Sequence, residues 1–137
     1  MLDVMSSPRL TVRPMELEDF EIRIAYFHEA TDEHLDRLGV DRSRLPTPHA
    51  WRASFAENRA RPLHERSEYG VVWDLDGAFV GFSTADQICF GDEAHMHLHI
   101  VDSEQRRLGL GSRFVGLTAT HLCDVLRLNR LTASPTR

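Results

Sequence analysis

Gln105-Arg106-Arg107-Leu108-Gly109-Leu110-Gly111-Ser112 separates two kinds of sequence. Upstream, Ala94 to Val101 alternates, so that His95, His97 and His99 share one face of a strand while Met96, Leu98 and Ile100 take the other. Downstream, Leu110, Phe114, Leu117, Val125 and Leu128 keep a helical spacing, which predicts a long helix over roughly Gly109 to Leu128. The octet is therefore a strand-to-helix turn, and it contains the pattern R-x-x-G-x-G. Glycines at 109 and 111 let backbone N–H groups approach an anion, and a helix start adds about half a positive charge. Arg106, Arg107 and Arg113 reinforce that field. The same glycines also suit a tight turn for backbone geometry alone, so the surrounding elements decide the reading.

Further upstream, Tyr69 to Trp73 is rich in strand formers, Asp76-Gly77 is a two-residue hairpin turn, and Ala78 to Phe82 resumes the strand. That second strand runs on toward Phe90, and Gly91-Asp92 turns the chain into the histidine strand. Leu10 to Arg13 is a short strand ended by Pro14. Leu17, Phe20, Ile24 and Phe27 then predict a helix over about residues 17 to 30. A second helix is expected from Asp32 to Leu38, closed by Gly39, and a third after Thr47-Pro48, with Trp51 and Phe55 as its apolar stripe and its end by Pro62. Arg130 to Ala133 is one last strand.

The 137 residues are 42% hydrophobic and 27% charged, with no low-complexity tract or repeat. One α+β domain with one core follows, and a disordered or fibrous chain is excluded. A net charge of −5 argues against a nucleic-acid partner. The apolar runs are too short for a membrane helix, and Met1 to Arg9 lacks an export signal, so a cytoplasmic protein with no membrane partner is expected. Cys89 and Cys123 read as buried thiols of a reducing compartment, with only His121 near Cys123 as an activating candidate.

The motif at 106–111, the run Leu10-Thr11-Val12-Arg13-Pro14, the stretch Phe79-Val80-Gly81-Phe82 and the strand after the long helix together resemble the GNAT superfamily of N-acetyltransferases. The resemblance spans essentially the whole chain. It implies a mostly antiparallel central sheet flanked by helices, and acetyl-CoA as co-substrate. It also implies that backbone groups of Arg106, Arg107, Leu108, Gly109, Leu110, Gly111 and Ser112 hold the pyrophosphate, while His99, Ile100 and Val101 pair with the pantetheine arm. Members usually continue past the last strand with a helix and two more strands, often supplying a tyrosine that protonates the leaving thiolate. The expected form is thus a C-terminally short one, whose uncovered sheet edge favours a homodimer.

The three strand histidines admit three readings. Alternate imidazoles can converge on a metal, although no further ligand stands out, and no metal site is assigned. They can be hydrogen-bonded structural groups. Or one can remove the proton of an attacking amine, since histidine titrates near neutrality and turnover would then fall below about pH 6.5. Some members of the superfamily carry a general-base glutamate at the position of His95, which makes His95 the first candidate and His97 the second. Glu29, Asp32, Glu33 and Asp36 read as a solvated face or as an acidic rim drawing a cationic acceptor; Trp51, Phe55 and Trp73 read as core. The leading function is transfer of an acetyl group to a small-molecule or peptide amine. The alternatives are an acyl-CoA-binding or dimerisation module without chemistry, and a metal-binding protein.

Overall fold

A computed structural model of the chain describes residues 9–100 and 111–133. Strand β1 (Leu10–Pro14) leads to α1 (Leu17–His28), α2 (Asp32–Leu38) and α3 (Pro48–Arg59); β2 (Tyr69–Leu75), β3 (Ala78–Cys89) and β4 (Glu93–Ile100) follow, then α4 (Gly111–Leu126) and β5 (Arg130–Ala133). The sheet order is β1-β2-β3-β4-β5. The first four strands are antiparallel, and β5 lies parallel to β4 because α4 carries the chain back along the sheet.

Local chemistry accounts for the element ends. The Asp19 carboxylate accepts from the Glu16 backbone N–H at 2.8 Å and starts α1. Thr31 and Thr47 hydroxyl oxygens accept from His34 and Ala50 N–H groups and cap α2 and α3. Gly39, at φ +75°, closes α2. The β2–β3 turn places Asp76 and Gly77 both at positive φ, as a two-residue hairpin requires. Helix α1 stops at His28 rather than near residue 30, with Glu29 as its C-cap. Helix α4 stops at Leu126, two residues short of the expected end, and Arg127 follows at φ 55°. Residues 109 and 110, assigned to the start of that helix, lie outside the described residues. Two short 3-10 turns, Arg42–Arg44 and Leu63–Glu65, were carried by no periodic signal.

Two apolar layers cover the sheet. On one face Phe20, Ile24 and Phe27 of α1, Leu35 of α2 and Phe55 of α3 pack on Val72 and Phe82. On the other, Phe114, Leu122 and Leu126 of α4 pack on Val71, Trp73 and Met96. The Trp73 ring stacks on Phe114 at 5.0 Å, and its Nε1–H donates to the buried Thr118 hydroxyl at 2.8 Å. Phe55 and Trp73 are core as expected, and Trp51 is half-buried against the same layer. Cys89 is exposed, against the expectation of a buried thiol, because it lies at the outer end of β3 beyond a register shift. His121 faces the Tyr69 hydroxyl at 3.0 Å.

Candidate active site

Parallel pairing of β4 with β5 runs from Glu93↔Arg130 to Met96↔Ala133. Beyond that point β4 continues through His97 to Ile100 with no β5 partner among the described residues. In sequence, residues 101–110 connect it to α4, whose first described residues are Gly111 and Ser112.

The three histidines project from one face of β4, as the alternation requires, yet each is held differently. His95 Nδ1 contacts the Thr132 hydroxyl of the paired strand β5 at 2.6 Å. His97 places Nε2 3.1 Å from Asp86 Oδ2 on β3. The His95 and His97 rings meet edge-on at 4.9 Å. His99 turns inward: its ring stacks on Phe82 at 4.9 Å, and its Nδ1 lies 3.2 Å from the Tyr26 hydroxyl of α1. That hydroxyl in turn lies 2.9 Å from His34 Nε2 on α2. Burial, followed by the charge of Arg23 and the fields of His97 and His34, pushes the His99 imidazole down to about 3. His99 is thus a neutral group at ordinary pH.

This divergence bears on the metal reading. Among the described residues no group of three His, Cys, Asp or Glu side chains could hold a metal ion. Nor do the described residues include a helix long and apolar enough to cross a membrane. Val101, Arg106, Arg107, Leu108, Gly109 and Leu110, assigned to coenzyme binding, lie outside the described residues; Ile100 ends β4.

A family model for the acetyltransferase (GNAT) family matches residues 24–133. This chain belongs to that family. No curated protein matches it significantly. Among solved structures, a predicted acetyltransferase from Clostridium acetobutylicum, solved with acetyl-CoA, is similar at a TM-score of 0.63 and 7% identity, over 94% of this chain and 82% of that one. A transcriptional regulator from Bacillus halodurans C-125 is similar at 0.62 and 15%, over 94% and 83%. Glucosamine-6-phosphate N-acetyltransferase from Arabidopsis thaliana is similar at 0.54 and 17%, over 93% and 83%. At such identities these likenesses speak to the fold alone.

Within this GNAT fold, the residues that sequence reasoning missed are those brought to the histidine face from other elements. Asp86 reaches His97 from β3, and Tyr26 and His34 reach His99 from α1 and α2. Only the extended span of β3 hinted at Asp86. Two of the four residues in the acidic stretch are paired: Asp32 binds Arg42 at 2.8 Å and Glu33 faces Arg37 at 3.8 Å. Glu29 lines a cavity of about 510 Å³ between α1 and α2, together with Ile22, Tyr26, His34 and Arg37.

Proposed function

We propose that this chain is an acetyl-CoA-dependent N-acetyltransferase acting on a small-molecule or peptide amine, with His97 as general base. The observation that carries the reading is the setting of His97: it is half-exposed on the histidine face of β4, with its imidazole held on the Asp86 carboxylate. The distal β4 backbone supplies hydrogen-bonding groups for the pantetheine arm, and the turn from Arg106 to Ser112 supplies N–H groups for the pyrophosphate. The amine nitrogen attacks the thioester carbonyl carbon, and β4 N–H groups stabilise the oxyanion that forms. The C–S bond breaks, coenzyme A leaves as the thiolate, and His97 takes the proton shed by the amine.

His95 is the second candidate for the base, and the engagement of its Nδ1 by the Thr132 hydroxyl disfavours it. The setting is cytoplasmic, and β5, at the sheet edge among the described residues, suits pairing with a second copy. Light scattering that returns a monomer mass at every concentration would remove the homodimer.

The test has two stages. Calorimetry with acetyl-CoA on metal-free protein should give micromolar binding. Acetyl transfer is then measured on spermidine, kanamycin, glucosamine 6-phosphate and a peptide with a free N-terminal alanine. His97→Ala should remove the low-pH limb of turnover, and a limb unchanged in both His97→Ala and His95→Ala would reject histidine as the base. Binding without turnover would favour a non-catalytic acyl-CoA module.

A further inference from the structure

We infer that Asp86 is a positioning residue for His97, holding the imidazole by Nε2 so that Nδ1 is the nitrogen presented to the acceptor. The inference rests on the acetyltransferase reading. Asp86 pairs in register with His95, and His97 with Thr84, so the carboxylate reaches His97 diagonally along one face of the β3–β4 ladder. The contact is 3.1 Å from Oδ2 to Nε2. A carboxylate accepts only, so Nε2 carries the hydrogen and Nδ1 keeps a lone pair. Nδ1 has no hydrogen-bond partner among the described residues.

The surroundings of Asp86 argue against a purely structural role. Its second oxygen, Oδ1, is buried without a hydrogen-bond partner, and the bond to His97 is its side chain's one hydrogen bond among the described residues. An orphaned carboxylate oxygen costs stability. A group that leaves Oδ1 unpartnered yet holds a catalytic imidazole through Oδ2 fits local stability given up for geometry. Just beyond it the β3–β4 register shifts, with Gln87 at φ 50°. The strand therefore bends away immediately after placing the carboxylate.

In the transfer step the new N–C bond forms, the C–S bond breaks, and the amine proton moves to Nδ1. The resulting imidazolium keeps its Nε2–H on the Asp86 carboxylate, so the charge that appears on His97 is opposed by one already present.

The experiment uses the full chain. Long-range ¹⁵N–¹H correlation spectra should show His97 as the Nε2–H tautomer in the wild type, and Asp86→Asn, which can also donate, should lose that preference. Asp86→Asn should melt no lower than the wild type. On whichever of the four amines named above the wild type acetylates best, its kcat should fall at least tenfold with KM for acetyl-CoA unchanged, and Asp86→Glu should recover part of the rate. An unchanged tautomer, or an unchanged kcat, overturns the role of Asp86. A wild type inert toward all four amines counts against the acetyltransferase reading instead, and the tautomer spectra then decide by themselves whether Asp86 holds His97.

Discussion

The Tyr26 hydroxyl on α1 lies 3.2 Å from Nδ1 of His99 on β4, joining the first helix to the strand that carries the candidate base. Burial keeps that imidazole neutral, at about 3 against an ordinary 6.5. The folded state thus refuses a proton that the unfolded chain accepts. This contribution to stability is whole above pH 6.5 and is lost as pH falls toward 3, at roughly 1.4 kcal/mol per pH unit for one proton. Urea unfolding of wild type and His99→Gln at pH 7, 6 and 5 should show a shallower decline in the variant; parallel declines would refute it.

Thr118→Val should cost about 1–3 kcal/mol, because it removes the acceptor of the buried Trp73 indole N–H while keeping the side-chain shape. Thr118→Ser keeps the hydroxyl and should cost less. Equal melting temperatures for the valine variant and the wild type would show that the bond contributes nothing net.

Arg13 donates to both Asp19 and Asp74, at 2.7 and 2.8 Å, and these acidic side chains are only 8% and 12% exposed. Arg13→Ala strands two buried charges, and a loss of about 2 kcal/mol or more is expected at pH 7. The loss should shrink on acidification: burial opposes the charge of Asp19, Arg13 and the Glu16 N–H hold its carboxyl below the usual range, and without Arg13 its protonation removes an unpaired charge. A pH-independent loss would point to packing of the arginine stem instead.

Gly111→Arg places a long side chain at the start of α4, where the pyrophosphate seat is assigned. Acetyl-CoA affinity should fall at least tenfold by calorimetry, with the melting temperature within a few degrees of wild type. Retained affinity would move the phosphate seat away from this helix end.

Much of this architecture is readable residue by residue. Asp76-Gly77 announces the hairpin, Thr47 announces a helix start, and Gly39 announces a helix end, because each acts through bonds or dihedrals within a few residues. The R-x-x-G-x-G turn between the histidine strand and the long helix carried the family resemblance, and the family match over residues 24–133 agrees with it. The short 3-10 turns escaped notice, since three residues are too few to show a period.

What the sequence determined by itself was the order of elements and the shared face of His95, His97 and His99, since both follow from periodicity along one segment. Only the tertiary structure distinguished the three imidazoles: Thr132 takes His95, Asp86 takes His97, and Tyr26 with Phe82 takes His99. Those partners lie 37, 11 and 73 residues away along the chain for the three hydrogen bonds. An imidazole's burial, tautomer and charge depend on such neighbours across the sheet and helix layers, which no local pattern encodes.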